Sequence, residues 1–258
     1  MYQKINSITA IKSVTLSLLL LLIAYSSRCR KTYEPLQPGL ITKAEAHFNG
    51  SNGQQKTIQF LFSVPVNYEN KKAYPFVVAL HGDGSNAAAF HDLWKPVTDS
   101  LGMVLLTPQG EHTIVEGLGF GWGNNAERSV LICIDIVKDL AHIDSEHVFV
   151  AGFSKGGSLA YALGLKYSQL FNGIAVISGR FDEKIIPKQH FQINKMSAYI
   201  SHGELEEDIA VNAKCAIQKM EALGMMVEYK VYEGIGHTLP EPKSAELIKI
   251  LKYLLFST

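Results

Sequence analysis

Between residues 74 and 256 the sequence alternates short apolar runs with longer segments whose apolar residues recur at helical spacing. YPFVVAL (74–80) and HVFVAGF (147–153) have the length of buried strands, whereas 126–143 and 208–223 have the periodicity of amphipathic helices. Strands that are apolar on both faces are typical of parallel sheets, because helical crossovers cover each face. The alternation therefore predicts an α/β fold with a mostly parallel central sheet and helices on both faces.

Composition narrows the class of protein further. The chain has 258 residues, 47% hydrophobic and 19% charged, which is enough for one domain with a sizeable core. Basic and acidic residues balance at 24 each, so the chain lacks the positive charge of a nucleic-acid binder and favours a small neutral substrate. No segment between the predicted strands is long enough for a large lid domain. The segment that best fits a small insertion, 179–195, is expected over or near the active-site edge.

The segment Gly152-Phe153-Ser154-Lys155-Gly156 fits the pattern G-x-S-x-G. The pattern alone is weak, but here a buried strand precedes it and a predicted helix follows it. This strand-to-helix turn is the setting in which α/β-hydrolases present their nucleophile, so Ser154 is the predicted nucleophile. The alternative is a glycine-rich turn in which Ser154 only caps the helix.

A serine nucleophile requires a base, and in α/β-hydrolases the order along the chain is serine, acid, histidine. Three histidines follow Ser154, namely His190, His202 and His237. His237 lies in a glycine-rich loop after the last predicted strand, whereas His190 has no strand before it and His202 precedes the expected acid. His237 is therefore the predicted base.

The acid is less sharply defined, because four carboxylates crowd the segment after the strand that contains His202. These are Glu204, Glu206, Glu207 and Asp208. The acid has to accept a hydrogen bond from the imidazole and hold its tautomer, which either Glu or Asp can do. Asp208 has a competing role as the N-cap of the next helix, and Glu204 and Glu207 are expected to face solvent.

Two further groups of residues are candidates around the nucleophile. In α/β-hydrolases the oxyanion hole is formed by the residue after the nucleophile and by the loop after an earlier strand, which predicts the backbone N–H groups of Lys155 and Asp83. Phe120 and Trp122 are candidate substrate-binding residues that could line an acyl pocket. Trp122 could equally pack its long loop against the core.

Several motifs together resemble those of the phospholipase/carboxylesterase group of α/β-hydrolases, with its polyhydroxybutyrate-depolymerase and feruloyl-esterase-like branch. They are HGDG, PQG with a downstream GW, IDSEHVFVAGFSKGG, HGELEEDIAV and GIGH. The resemblance covers about residues 56–256 and implies an esterase that needs no metal or cofactor, with Ser154 as nucleophile, His237 as base and Asp83 at the oxyanion position. The family's acid pattern, H-G-x-x-D-x-x-V-P, places its Asp on Glu206, which makes Glu206 the first choice and Asp208 the second.

The N-terminus reads as a targeting segment. Lysines precede the apolar run LSLLLLLIA, which is shorter than the ~20 residues of a membrane span, and small residues follow it. We therefore expect a signal peptide over 1–26, a tether and edge region over 27–55 and the catalytic domain over 56–258, with export to the periplasm, envelope or medium. An uncleaved membrane anchor is the alternative, and a lipid on Cys29 is disfavoured because Arg28 precedes it.

The sequence predicts a serine-dependent hydrolase that cleaves small carboxylic esters through an acyl-enzyme. One alternative is a serine peptidase of the same fold, although the extra propeller or large cap often found in such peptidases is missing here. Another is a catalytically silent binding protein, which only the unusual acid favours. Acyl and alcohol specificity and oligomeric state cannot be derived from the sequence.

Overall fold

The computed structural model describes residues 36–115, 119–186 and 193–257. Its strands are β1 (Ile41–Asn49), β2 (Gln55–Ser63), β3 (Tyr74–Leu80), β4 (Val104–Pro108), β5 (His112–Val115), β6 (Gly119–Gly121), β7 (Ile143–Phe153), β8 (Gly173–Ile177), β9 (Ser197–Gly203) and β10 (Met226–Tyr232). Its α-helices are α1 (Ala87–Leu101), α2 (Ala126–Leu140), α3 (Lys155–Lys166), α4 (Glu207–Ala222) and α5 (Lys243–Phe256).

Eight of these strands form one sheet in the order β1-β2-β4-β3-β7-β8-β9-β10. The pairs β1–β2 and β2–β4 are antiparallel, and every other neighbouring pair is parallel. The predicted fold class, an α/β-hydrolase with a mostly parallel sheet, is confirmed. The antiparallel pairs lie at one edge of the sheet and involve β1 and β2, the first two strands of the described chain.

Side chains of the central strands alternate between the two faces of the sheet, and each face has its own helices. On one face Val77 and Ala79 of β3 pack in a cluster with Trp94 of α1 and Leu251 of α5. The intervening residues of β3 point to the other face, where they share a core with α2, α3 and α4. Because both faces are covered, β8 is buried at every position and β3 at every position but one, as the sequence pattern indicated.

The structure adds strands to two segments of the N-terminal half. The region assigned to tether and edge, residues 27–55, contains β1, which pairs with β2 over its whole length from Ile41 to Asn49. Polar side chains alternate along β1 because it lies at the edge of the sheet, and this made it resemble a linker. The loop that carries Phe120 and Trp122, between β4 and α2, contains the β5–β6 hairpin.

The parallel strands place their carboxyl ends along one edge of the sheet, where ligands bind in open α/β folds. The turns after β3, β7, β8, β9 and β10 all lie along it. In the predicted insertion 179–195, the described part packs on α3, with the ring centroids of Phe181 and Tyr161 5.3 Å apart. Residues 187–192 lie outside the described residues, and none of the described helices is long and apolar enough to cross a membrane.

Candidate active site

Ser154 lies in the turn between β7 and α3, in a backbone conformation that L-residues rarely adopt. Its φ is 55° and its ψ is −119°. The turn is anchored to the neighbouring strand, because the N–H of Ser154 donates to the carbonyl of Ile177 at 2.8 Å. A strained non-glycine residue is often found at a functional site, and here it presents the hydroxyl beyond the end of the strand.

The glycines on either side of Ser154 are required by close backbone contacts. A Cβ on Gly152 would lie 2.2 Å from the carbonyl oxygen of Gly156. A Cβ on Gly156 would lie 2.2 Å from the carbonyl oxygen of Leu80, so this glycine lets α3 approach the end of β3. The G-x-S-x-G pattern is thus a packing requirement of this turn.

The structure brings Ser154, His237 and Glu206 together in one hydrogen-bonded chain. His237 Nε2 lies 2.8 Å from Ser154 Oγ, and His237 Nδ1 lies 2.6 Å from Glu206 Oε1. An ionised carboxylate can only accept, so Nδ1 carries the proton and Nε2 is left as the acceptor that faces the serine hydroxyl. This is the tautomer that a general base needs.

Glu206 is held more firmly than a surface carboxylate. Its side chain is only 7% exposed, whereas that of His237 is 51% exposed. Its second oxygen, Oε2, accepts from the N–H of Gly203 at 2.8 Å and from the hydroxyl of Ser178 at 2.6 Å. A buried charge needs such donors, and with His237 they make three.

Asp208, the second-choice acid, is not brought to His237. It lies in the first turn of α4 with a side chain that is 84% exposed, and its carboxylate pairs with Arg180 at 3.1 Å. It makes no capping hydrogen bond either, because the N-cap position is held by Glu206. The structure thus places Asp208 in neither of the two positions considered for it, since the start of α4 directs its side chain to solvent.

The other two histidines after Ser154 are not part of this arrangement. His202 is buried, with Nδ1 2.7 Å from the carbonyl oxygen of Gly203 and Nε2 2.7 Å from the hydroxyl of Tyr229. It braces the end of β9 through these two contacts. His190 lies outside the described residues.

The loop after β3 lies against the nucleophile turn. A Cβ on Gly82 would be 3.2 Å from the Cβ of Ser154. Among the described residues, the backbone N–H groups of Asp83 and Lys155 take part in no hydrogen bond, and Lys155 starts α3, so no earlier carbonyl of the helix faces its N–H. The two predicted oxyanion donors are therefore available to an external acceptor beside Ser154.

His81 braces this loop from within the core. Its Nε2 accepts from the N–H of Gly110 at 3.0 Å, so its Nδ1 carries the proton and donates to the carbonyl of Gly82 at 2.8 Å. Burial lowers the pKa of His81, which keeps the ring in this neutral form.

The structure places Trp122 in the core behind the loop that follows β3, and a contact between Trp122 and substrate stays a prediction. Trp122 is 7% exposed, its Nε1 donates to the carbonyl of His81 at 2.7 Å, and the two rings are 4.8 Å apart. Because its Nε1 is hydrogen-bonded and its ring is buried, Trp122 supports the loop after β3, which carries Asp83, from the core side. This is the packing alternative that the sequence left open.

Phe120 of the β5–β6 hairpin is also tied to this loop through its backbone. Its N–H donates to the carbonyl of Ser85 at 2.7 Å, and its carbonyl accepts from Gly84 at 3.0 Å. Its side chain lines a cavity of about 270 Å³ on the β2 side of the hairpin, which neither Ser154 nor His237 lines. A contact between Phe120 and substrate stays a prediction.

Sequence reasoning missed Ser178, whose hydroxyl contacts Glu206. The available signal was its place directly after the apolar strand β8, at the same edge of the sheet as Ser154. It also missed the apolar surface beside the triad. The ring of Phe153 lies 4.9 Å from that of His237, and Leu205, next to Glu206, is 68% exposed.

Comparison with known proteins gives consistent matches. The sequence model of the family described as Phospholipase/Carboxylesterase matches residues 124–255. The chain is 27% identical over 164 residues to a protein named probable feruloyl esterase C of Aspergillus clavatus, covering 60% of this chain and 53% of that protein. It is 32% identical over 112 residues to carboxylesterase SOBER1 of Arabidopsis thaliana, covering 42% and 46%.

The chain spans about half the length of the curated relatives it matches. Among solved structures, the feruloyl esterase module of Clostridium thermocellum superimposes with a TM-score of 0.63 at 14% identity, covering 89% of this chain and 93% of that one. A likeness at this identity supports the same fold.

Proposed function

We propose that this chain, which belongs to the phospholipase/carboxylesterase family, hydrolyses carboxylic esters through an acyl-enzyme on Ser154. The observation that carries the proposal is the continuous hydrogen-bonded chain from Ser154 Oγ through His237 to Glu206, with distances of 2.8 and 2.6 Å. The order and spacing of these three groups are those that nucleophilic catalysis requires.

In the first half of the reaction, Ser154 Oγ attacks the ester carbonyl carbon while His237 Nε2 takes the hydroxyl proton. The negative charge that develops on the carbonyl oxygen is stabilised by the N–H groups of Asp83 and Lys155, each worth ~3–4 kcal/mol in comparable enzymes. Glu206 stabilises the imidazolium. His237 then returns the proton to the leaving alcohol as the carbon–oxygen bond breaks, which leaves the acyl group on Ser154.

In the second half, water repeats the sequence. His237 Nε2 removes a proton from the water as its oxygen attacks the acyl carbon, and the same two N–H groups bind the oxyanion. The proton then passes to Ser154 Oγ as the acyl–oxygen bond breaks, and the carboxylic acid leaves. The positive end of the α3 dipole, directly beside Ser154, favours the negative charge in both halves.

The substrate class we propose is a small-molecule ester. The base is half exposed, and the apolar surfaces that flank the triad, Phe153 and Leu205, are suited to an acyl chain or an aromatic acid. Because relatives are named feruloyl esterases and carboxylesterases, the first substrates to try are p-nitrophenyl esters of graded acyl length and an alkyl ferulate.

The test combines labelling with turnover. We expect a fluorophosphonate to label the wild type and Ser100→Ala, whose serine lies on α1 away from the turn, and not Ser154→Ala. Ester turnover by Ser154→Ala is expected to fall by about 10⁶-fold, as when other serine hydrolases lose their nucleophile. Turnover above about a tenth of wild type would rule out Ser154 as nucleophile.

The same experiment separates the alternatives. Labelling with turnover of amides and not of esters would make the chain a peptidase. A folded chain that neither labels nor turns over any ester would make it a catalytically silent binding protein.

We also propose that the protein is exported, on the basis of the lysine-flanked apolar run before residue 25. This segment lies outside the described residues, so the support is the sequence alone. Intact mass of protein from the native cell envelope tests it. A mature N-terminus within 25–31 is expected, a chain that retains Met1 would contradict cleavage, and a lipid adduct on Cys29 would show membrane attachment instead.

A further inference from the structure

Ser178 has the second unusual backbone conformation of the described chain. Its φ is 52°, and among the described non-glycine residues only Ser154 shares a positive φ. Ser178 directly follows β8, is 2% exposed and lies at the carboxyl edge of the sheet. A left-handed residue with a side chain carries a conformational cost, so a feature of the surroundings must hold it there.

The path of the backbone explains why residue 178 has a positive φ, but it does not explain why this residue is a serine. After Ser178 the chain passes close to the first turn of α3, since a Cβ on Gly179 would lie 2.7 Å from the carbonyl carbon of Gly157. The N–H of Ser178 donates to the carbonyl of Ser201 at 2.8 Å. A glycine at position 178 would allow both the close approach to α3 and the hydrogen bond to Ser201 without strain. The strained serine therefore has to be explained by its side chain.

That side chain makes one contact that bears on catalysis. The hydroxyl of Ser178 donates to Glu206 Oε2 at 2.6 Å, and the N–H of Gly203 donates to the same oxygen at 2.8 Å. With Oε2 held by two donors, the carboxylate plane is fixed and Oε1 is directed to His237. Glu has one more rotatable bond than Asp, so a glutamate acid gains more from such a restraint.

We propose that Ser178 is a positioning residue that holds Glu206 in the orientation in which it binds His237. This inference rests on the proposed function for its kinetic consequence, whereas the contact between His237 and Glu206 can be observed without turnover. Ser178 is buried behind Glu206 and is not placed to contact substrate. Removing its hydroxyl is therefore expected to lower kcat and to leave KM unchanged.

The first test compares two variants that both lack the hydroxyl. Ser178→Ala keeps the Cβ and the strain, and Ser178→Gly removes both. We expect kcat on p-nitrophenyl acetate to fall roughly 10- to 100-fold in both, the effect of losing one hydrogen bond to a charged group, with KM within twofold. Ser178→Gly should be the more stable of the two. If activity instead follows stability, so that Ser178→Gly is as active as the wild type, the hydroxyl has no positioning role.

The second test asks whether Ser178 acts through Glu206. In a Glu206→Ala background the hydroxyl has no carboxylate to hold, so adding Ser178→Ala should leave the residual kcat unchanged. A further loss of the same 10- to 100-fold in that background would overturn the proposal, because the two effects would then be independent.

A third measurement keeps the two proposals distinguishable. The Nδ1 proton of His237, assigned by its loss in His237→Gln, should give a downfield proton resonance in the wild type that is lost or shifted upfield in Ser178→Ala. An unchanged resonance would overturn the positioning role even if the enzyme is active. A shifted resonance in a protein that turns over no ester would support the positioning role while the proposed esterase function fails.

Discussion

The turn that carries Ser154 and the turn that carries Glu206 both follow parallel strands, yet different parts of the chain determine them. In the nucleophile turn, a Cβ on Gly152 or on Gly156 would lie 2.2 Å from a backbone carbonyl oxygen, so both positions require glycine, and Ser154 lies between them. Steric contact with neighbouring backbone therefore restricts which residue types can occupy that turn. This is why five letters of sequence identify it.

The acid turn has one such glycine, since a Cβ on Gly203 would lie 2.2 Å from the carbonyl oxygen of Ile235. The backbone there does not select among the carboxylates that follow. Their partners do: Glu204 accepts from Gly234 N at 2.9 Å, Asp208 pairs with Arg180, and Glu206 meets Ser178 and His237. A site chosen by side-chain partners from distant elements is much harder to infer from a short motif.

Glu206→Gln tests the acid turn most severely. The amide keeps the shape of the side chain but can donate to His237 and stabilise the wrong tautomer, which costs ~10⁴-fold in kcat in a well-studied triad protease. We expect a loss of this order in kcat/KM on one activated ester, with unchanged circular dichroism.

Asp208→Asn is the matched control, because it removes one charge from the same turn and only from an exposed pair with Arg180. Exposed ion pairs contribute at most ~1 kcal/mol, so its activity is expected to stay within about threefold of wild type. If Asp208→Asn were the impaired variant, the partners seen in the structure would not be those used in catalysis. A loss below tenfold in both would place the acid elsewhere.

The sequence was sufficient for elements whose own residues encode them. The buried strands and their helices were placed within a few residues, and β3 was placed over Tyr74–Leu80 as found, because these segments contribute apolar residues to a core at a fixed period. β1 was missed because an edge strand has one solvated face, and pairing with β2 rather than apolar content keeps it in the sheet.

The same distinction separates the site residues. Ser154 and His237 follow from turn chemistry and chain order, whereas the choice of Glu206 depended on a family pattern. The roles of Ser178 and Trp122 depend on partners that are distant in sequence, namely Glu206 28 residues later and His81 41 residues earlier. Such pairings become visible only when the sheet brings its strand ends together.

Gly156→Ala tests the nucleophile turn through stability. The added methyl would meet the carbonyl oxygens of Leu80 and His81 at 2.2 and 2.5 Å, and backbone at the end of a central strand cannot move aside cheaply. We expect a loss of about 3 kcal/mol or more in the free energy of unfolding, measured by urea denaturation, together with loss of activity.

Gly236→Ala provides the comparison, since a Cβ there meets no atom within 4 Å and its φ is not positive. Its free energy of unfolding is expected to remain within about 0.5 kcal/mol of wild type. Equal destabilisation by the two substitutions would mean that the close approach at Gly156 does not restrict the turn.

The smallest effect we predict concerns His91, a buried histidine of the core. It distinguishes loss of activity at acid pH, which arises at the two turns, from loss of stability at acid pH, which arises in the core. His91 of α1 is buried, with Nδ1 2.8 Å from Thr107 Oγ1 and Nε2 3.1 Å from Ser63 Oγ. Burial, with a smaller contribution from Lys95, lowers its pKa from 6.5 to about 4. The native state therefore stays neutral at pH values where the unfolded chain already binds a proton.

This difference fixes the direction of the pH effect. The contribution of His91 to stability is complete above pH 6.5 and is lost as the pH falls from there towards 4, which amounts to about 2 kcal/mol between pH 7 and pH 5.

His91→Gln tests this, because it removes the titrating group. The free energy of unfolding, measured in urea at pH 7, 6 and 5, should then fall less steeply with decreasing pH than it does in the wild type. The acid decline of kcat/KM should be the same in both, because His237 must be neutral to act as a base whatever occupies position 91. Parallel stability curves would show that His91 is not the buried titrating group, and a changed activity profile would show that the core and the two turns are coupled.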